Sequence, residues 1–536
     1  MEYLPNILMA LGAMGLFLYG MKMMSDGLER VAGDRLKSLL DYLTRNRVIG
    51  MLVGALFTAV VQSSAATTVM VVGFVNTGLM SLMQAAPVIM GANIGTCITA
   101  QIIALDITQY APIIVIFGLV LSMQKNKKAM QFSEVIFGFG MLFMGLGLMS
   151  DNLEPLSQIE AFQNFLVGMK NPLLGILAGA LFTAAIQSSS AAVGVLQAFS
   201  LKGLIGLQNS AYVLMGSNIG TCITALLAAI NTNKTARRAA VIHLLFNTLG
   251  TVLFFAFMYV VPIIPFYERV FAGNPMQQIA MVHITFNVLG VIVFLPLTRV
   301  LVWISNWVIR GEDPKSEMMR LAYIDQRLLS TPNIAVGQII KEIDRMGEIA
   351  VENLSLAVDG FARHDASVLG EVQEHEKVIN YLEHEITTYL VNLNQLDLPR
   401  NDSEIVGSCF HVVNDIERVG DHAVNVGDYL KTITDENIRM SEESTAEIRE
   451  MFQQVKELLT LALQAFRTRD VKFLDGVYPM EQRVDEMERE LTNRHIERLT
   501  RNMCNLRSGM IFTDLASNLE RVADHATNIA FSIKQD

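Results

Sequence analysis

Charge is what this chain has least of. Only 17% of its 536 residues are Asp, Glu, Lys or Arg, against 51% hydrophobic, and mean hydropathy is +0.37. That balance excludes an ordinary soluble globular protein and indicates a membrane protein. Cysteine is scarce as well. Cys97, Cys222, Cys409 and Cys504 show no CxxC spacing, so neither a disulfide framework nor a cysteine zinc site is implied. No basic run precedes the first apolar stretch, and Leu4–Met24 therefore reads as a retained membrane helix rather than a cleaved signal. The G-x-S-x-G elbow of a serine hydrolase is missing too.

The charges that do occur are unevenly placed. Up to Arg310 there are 17 Lys+Arg against 11 Asp+Glu, and beyond it 24 against 41, so +6 and −17 make up the overall −11. A weakly basic membrane half is thus followed by a strongly acidic soluble half, and the acidic half excludes nucleic acid as a partner.

Apolar segments fall at about 4–24, 48–76, 79–105, 110–123, 132–150, 172–203, 206–230, 239–265 and 279–309. Most reach the roughly 20 residues that a bilayer core of about 30 Å requires. The segment at 110–123 is short, and those containing Gln62 and Gln187 are too long for one simple helix.

An internal repeat covers most of this half. Gly54–Thr68, GALFTAVVQSSAATT, returns at Gly179–Val193 as GALFTAAIQSSSAAV. Gly15-x4-Gly20 with Met24-Ser25-Asp26 and Glu29 returns as Gly140-x4-Gly145 with Met149-Ser150-Asp151 and Glu154. The run from Met90 to Ala100 (MGANIGTCITA) returns from Met215 to Ala225 (MGSNIGTCITA). All matches share one offset, so the segment is duplicated. Arg30, Arg35, Lys37, Arg45 and Arg47 mark the loop after the first helix as cytoplasmic, whereas its counterpart carries Asp151, Glu154 and Glu160 with only Lys170. Lys125, Lys127, Lys128, Lys234, Arg237, Arg238, Arg299 and Arg310 then fall inside. These marks agree if the two Gln-Ser-Ser segments are re-entrant hairpins entering from opposite sides, with the repeats inverted.

Serine hydroxyls donate and accept, glutamine does both, and a broken helix exposes amide ends with about half a positive charge. Together they suit an anion without a buried arginine. The GANIGT and GSNIGT stretches supply glycines that let backbone approach a ligand, and Asn and Thr oxygens suited to a small hard cation. No Arg lies near either motif, so a bound anion needs a co-bound cation, for which sodium is the obvious candidate. The plainer alternative is that these small polar residues only pack helices and bond across them. His243-x-x-Phe246-Asn247 and His283-x-x-Phe286-Asn287 form a further echo. The imidazoles either bond a neighbouring helix, the reading preferred here, or relay protons.

Paired QSS clusters, each followed by G-x-N-I-G-T, resemble the type II sodium–phosphate cotransporter family over about residues 10–300. That resemblance implies inorganic phosphate as substrate, sodium as coupling ion and alternating access between inverted repeats. Family roles then fall on Gln62, Ser63 and Ser64, and on Gln187, Ser188, Ser189 and Ser190, with Asn93 and Asn218 beside the substrate. Sodium would meet Gln187, Ser188, Thr221 and Thr224, and in the first repeat Thr96 and Thr99. The sequence departs from the family at Ala65, where the second repeat has Ser190, and at Cys97 and Cys222, where a hydroxyl residue is usual.

From about Asn333 the pattern becomes long amphipathic helices. NDIERVGDHAVN at 414–425 returns as SNLERVADHATN at 517–528, and Glu376, Glu383 and Glu385 return as Glu481, Glu488 and Glu490. Two three-helix units in series fit the length. Within each motif the carboxylates at i and i+4 share a face, either as a solvated acidic surface or as ligands for a hard cation. The motif resembles the PhoU family of phosphate-signalling regulators, which implies a divalent or trivalent metal held by Glu417, Asp421, Glu520 and Asp524.

The expectation is an all-α chain: a helical membrane domain over 1–310 (repeats about 10–125 and 132–265), a linker over 311–334, and a cytoplasmic PhoU-like domain over 335–536. Its function would be sodium-coupled phosphate transport across a bacterial plasma membrane, not enzymatic, regulated by the second domain. Its partners would be phosphate, sodium and lipid, with a homodimer as one arrangement the sequence allows. Rival readings are a phosphate-sensing receptor and a carrier of another oxyanion or a dicarboxylate; a metallohydrolase ranks last for want of a nucleophile.

Overall fold

The fold is described from a computed structural model, covering all residues except 1–3, 42–45, 125, 154, 156–158, 160–163, 165, 312–318, 397, 502–503 and 535–536. Arg45, Lys125, Glu154 and Glu160 therefore lie outside the described residues. Among the described residues there is no strand, and the chain forms two compact units, Met1–Asp313 and Pro314–Asp536.

In the first unit, helix α1 (Leu4–Asp41) runs well past its apolar part, so Arg30 stands on a helix rather than in a loop, paired with Glu134 at 2.7 Å. Glu134 belongs to α6 (Lys127–Leu153), the duplicate of α1. The two helices pack along each other, with Phe17, Leu142, Phe143 and Leu146 fully buried. Lipid gives two apolar helices little hydrophobic reason to associate, so small residues that permit close approach do the joining.

Each expected over-long segment is broken into a helical hairpin. The first comprises α2 (Arg47–Val61) and α3 (Ser64–Asn76), followed by α4 (Leu82–Ile103) and α5 (Ala111–Ser122). The second comprises α7 (Pro172–Ile186) and α8 (Ser189–Leu201). Arms of 13 and 15 residues reach only about 20 Å at 1.5 Å per residue, so each hairpin goes part of the way through a bilayer and returns. The counterpart of α4 is divided at Thr221 into α9 (Leu207–Gly220) and α10 (Cys222–Ala228). Then come α11 (Lys234–Val260), α12 (Ile263–Val270), α13 (Pro275–Phe294) and α14 (Thr298–Val308). The apolar run expected as one segment over 279–309 thus belongs to two helices, parted around Pro296. Among the described residues, six helices are long and apolar enough to span a membrane by length and composition: 4–28, 82–103, 129–153, 207–228, 234–260 and 275–294.

The connections place the hairpins on opposite sides. Asn233, which caps α11, bonds Asn76 at the foot of hairpin one through its backbone N–H at 2.9 Å and its side chain at 2.7 Å. Arg47, at the other foot, reaches the Pro296 carbonyl beyond α13. The α9–α10 pair runs the length of a span and ends at this same side, just before Asn233. The foot of hairpin two, just before α9, therefore lies at the opposite side, where Lys202 pairs with Asp151 at 3.0 Å.

The glycines of the NIGT stretches have a different use from the one expected. A Cβ at Gly91 would collide with the Met51 carbonyl, and one at Gly216 with the Ile176 carbonyl. They let α4 and α9 lie directly on the first arms of their hairpins; backbone meets backbone there, not a ligand.

The second unit is two three-helix bundles in series. The first contains α15 (Pro332–Arg363), α16 (Leu369–Asn394) and α17 (Arg400–Asp435); the second contains α18 (Glu442–Thr468), α19 (Leu474–Thr500) and α20 (Leu506–Phe531). The first corner of each bundle is built alike. His364 and Arg469 end a helix at φ 55°, and the Asp that follows, Asp365 or Asp470, accepts a backbone N–H two residues on.

Candidate functional site

The hairpin tips contain neither glycine nor proline, yet both turn identically. Gln62 and Gln187 close their first arms in the left-handed conformation, at φ 57° and 55°. Such a conformation is uncommon for a residue with a side chain, and its recurrence at both tips marks them as held by their surroundings. Ser63 and Ser188 follow in extended conformation and cap the second arms, each hydroxyl accepting an amide N–H, from Ala66 at 3.1 Å and Ala191 at 3.2 Å. A hydroxyl that accepts in this way keeps its own proton to donate outward. Beside it stand the first amides of a helix, which have no intrahelical partner. Each tip is therefore a cluster of donors.

Thr99 on α4 donates to the Gln62 Oε1 at 2.7 Å, and Ser190 on α8 donates to Thr99 at 3.3 Å. The tip of hairpin one, the NIGT helix of its repeat and the second arm of hairpin two are thus joined by one hydrogen-bonded chain. Gln62, Ser64, Thr99, Ser189 and Ser190 are all buried. Gln187 is not: it is exposed, and Thr224 turns back to the Thr221 carbonyl at 2.9 Å instead of meeting it. Thr96 and Thr221 likewise donate to carbonyls one turn back, Ala92 and Ser217, so their oxygens have only lone pairs left to offer. Asn93 reaches across to Asn247 at 3.5 Å, whereas the Asn218 Nδ2 is buried without a partner among the described residues.

The echoed histidines do not bond neighbouring helices through their rings. His243 and His283 are buried with both ring nitrogens unpartnered among the described residues, and it is their carbonyls that accept, from Cys222 and Asn247 and from Cys97 and Asn287. Asn287 also donates to the Cys97 Sγ at 3.3 Å, as Asn247 does to Cys222. Two useful residues escape sequence reasoning. Gln197, fully buried, donates to the Ala100 and Met276 carbonyls, both at 3.0 Å, and ties α4 to α13. Its only signal is an amide in an apolar run where the first repeat has Val72. Ser25 is the other, and its hydroxyl bonds the Val61 carbonyl at the break in hairpin one.

In the second unit the repeated His and Asn serve a seam. His422 shares a hydrogen bond with Asn518 at 2.7 Å, and His525 one with Asp415 at 2.9 Å, so α17 and α20 clasp each other reciprocally. Burial holds the His422 imidazole below its ordinary pKa, which keeps it neutral in this bond. The carboxylates lie off the seam. Glu376 on α16 rests against Gly420, and burial, then Asp421 and Glu417, push its pKa up to about 7. Glu417 is raised by burial and by Asp421, with Arg418 close to both at 3.8 and 3.4 Å. Glu520 is raised by burial and by Asp524, which is itself raised by burial and by Asp485. Among the described residues no three His, Cys, Asp or Glu side chains are placed to hold a metal ion. The register of the repeated His and Asn beside Glu417, Asp421, Glu520 and Asp524 is accounted for by the seam.

The sequence profile of the Na+/Pi-cotransporter family matches residues 16–151 and 148–260. A relative from Bacillus subtilis, "Uncharacterized protein YqeW", is 33% identical over 294 residues, covering 55% of this chain and 95% of that protein. The chain belongs to the Na+/Pi-cotransporter family. Unlike that relative, this Na+/Pi-cotransporter chain continues into two matches to the PhoU domain, at 343–430 and 448–533. The "Putative inorganic phosphate export protein YjbB" of Salmonella typhimurium is 24% identical over 538 residues, 98% of this chain and 97% of its own length. Among solved structures, PhoU from Pseudomonas aeruginosa is 23% identical, covers 36% of this chain and 93% of that one, and has a TM-score of 0.35. For a Na+/Pi-cotransporter the two donor-rich tips are chemically apt, since a phosphate oxyanion is bound by hydroxyls and helix amide ends.

Proposed function

We propose that the chain carries inorganic phosphate across a bacterial plasma membrane in company with sodium, and that its PhoU half lies on the cytoplasmic face and regulates the carrier. The observation that supports this reading most is the hydrogen-bonded chain from Gln62 through Thr99 to Ser190, which joins the tip of one hairpin to the second arm of the other, oppositely entering one. Ser63, Ser64, Ser188 and Ser189 then supply hydroxyl protons to the phosphate, Ser190 adds its own when it leaves Thr99, and Gln62 and Gln187 close over the anion. Sodium fits beside Thr221, Thr224, Gln187 and Ser188, with Thr96 and Thr99 as the duplicated set, because each threonine already donates elsewhere and offers only oxygen. Its charge offsets that of the anion where no arginine is at hand. Two sodium ions neutralise a divalent anion, and a third gives the loaded carrier one net positive charge, which gains about 2.3 kcal/mol per 100 mV on moving inward.

Phosphate flux into proteoliposomes with and without a sodium gradient tests this reading. Sodium-dependent flux is expected, and Ser188→Ala or Gln187→Ala should cut it by about a hundredfold, the scale of losing one or two charge-assisted bonds, while the protein still reaches the membrane. Tight phosphate binding without flux would turn the reading toward a receptor. Flux competed by arsenate or by a dicarboxylate would widen the cargo.

A further inference from the structure

The echo Met24-Ser25-Asp26 and Met149-Ser150-Asp151 has no part in the site above, and its two copies are used unequally. Ser25 on α1 donates to the Val61 carbonyl, the last helical carbonyl before the tip of hairpin one, and α1 packs against α2. Ser150 on α6 holds the duplicated position and is 2% exposed, yet among the described residues its hydroxyl has no partner. The acceptor that symmetry assigns to it is the carbonyl of Ile186 at the tip of hairpin two. There α6 packs against the second arm, α8, and makes no comparable contact with the first arm, α7. A buried hydroxyl left unpaired is rare in a native fold and asks for a reason.

The rest of hairpin two agrees. Its tip glutamine is exposed where that of hairpin one is buried and bonded to Thr99. Its foot is nevertheless held to α6 through Lys202 and Asp151. Hairpin two is thus held at its foot and, through Ser190, to α4, while the end of its first arm stands apart from α6 and is free to take up a contact there.

We propose that Ser25 and Ser150 are docking hydroxyls that take hold of the two hairpin tips in turn. In the conformation seen here Ser25 holds hairpin one while Ser150 stands idle. In the opposite conformation Ser150 donates to the Ile186 carbonyl, hairpin two closes on α6, and hairpin one leaves α1. The inference rests on the chain being a carrier that exchanges two conformations, and it assigns to Ser25 and Ser150 a positioning role without contact to phosphate or sodium.

Spin labels at equivalent places read the exchange: Met23 with Leu56 for hairpin one, and Leu148 with Leu181 for hairpin two, in the full chain with Cys504→Ser. In proteoliposomes with sodium and phosphate, each pair should show two distance populations, short in one pair when long in the other. One hydrogen bond moves such a ratio about fivefold. Ser25→Ala should therefore shift both pairs about fivefold toward closure of hairpin two, and Ser150→Ala about fivefold the other way. Ser150→Thr, which keeps the hydroxyl, should restore the ratio. If both alanine variants shift the ratio in the same direction, or neither shifts it, the docking role is wrong. Phosphate flux in the same vesicles separates the two ideas: absent sodium-driven flux counts against the carrier reading, whereas flux with one fixed distance in each pair counts against the docking hydroxyls.

Discussion

This chain contains two duplications, and their copies meet in opposite ways. In the helical unit the two bundles clasp through the same contacts read from either side, His422 to Asn518 and His525 to Asp415. In the membrane unit the caps, the glycine packing and the Cys–Asn bonds match, but other equivalent residues do not: among the described residues Ser25 is bonded and Ser150 unpaired, Gln62 is buried and Gln187 exposed, and α4 is continuous while its counterpart is divided at Thr221. A duplication whose polar groups are satisfied symmetrically is a fixed frame. One whose groups are satisfied on one side only is held in one of two equivalent arrangements, and so is suited to move.

The largest expected effect is on the frame of the membrane half. Gly91→Val or Gly216→Val places side-chain atoms where the Met51 or Ile176 carbonyl lies, and should cost about 3 kcal/mol or more, seen as loss of folded protein in membrane extracts. Equal loss at both positions is expected, because this packing is the part of the duplication that does not change. A marked inequality would break the comparison.

A smaller effect concerns pH. The pKa of Glu376 in the folded chain, about 7, lies above its ordinary value near 4.5, so the folded state binds this proton more tightly than the unfolded state does. The stability that this group contributes is therefore fully present below about pH 4.5 and is lost as pH rises through 7. Glu417, Glu520 and Asp524 are raised in the same direction. The denaturant midpoint of the helical unit should be higher at pH 5 than at pH 7.5, and Glu376→Gln should flatten the difference. An unchanged slope in that variant would show that the other carboxylates dominate.

The smallest effect is at the seam. A double-mutant cycle of His422→Ala and Asn518→Ala should give a coupling of about 1 kcal/mol, measured by chemical denaturation, and the cycle on His525 and Asp415 should match it in sign. Coupling at one pair alone would deny the symmetry on which the comparison stands.

Much of this architecture is written in the sequence. The offset shared by GALFTA, QSS and NIGT reveals the duplication, and apolar runs too long for one helix locate both breaks. The particular break does not follow from composition, because the left-handed residue is a glutamine at each tip, where glycine would be the usual sign. Which way a repeated residue faces is also hidden. Glycines in GANIGT and histidines in DHxxN share their spacing with ligand motifs, and only the neighbouring helix shows that the first admit a backbone and the second bridge two bundles. The inequality of the copies is the least legible feature, for identical residues cannot encode which of two equivalent contacts is made.

The pairing of Cys97 with Asn287 has a consequence for how the chain is built. The two lie 190 residues apart, with the whole second repeat between them. At about 5–20 residues per second, a ribosome needs roughly 10–40 s after completing α4 to deliver the helix that covers it. Through that interval the first repeat waits in the bilayer with one flank uncovered, and a chain stopped after α11 would leave it so. Insertion is therefore finished from the far end, and the helix that closes the first repeat is among the last to enter.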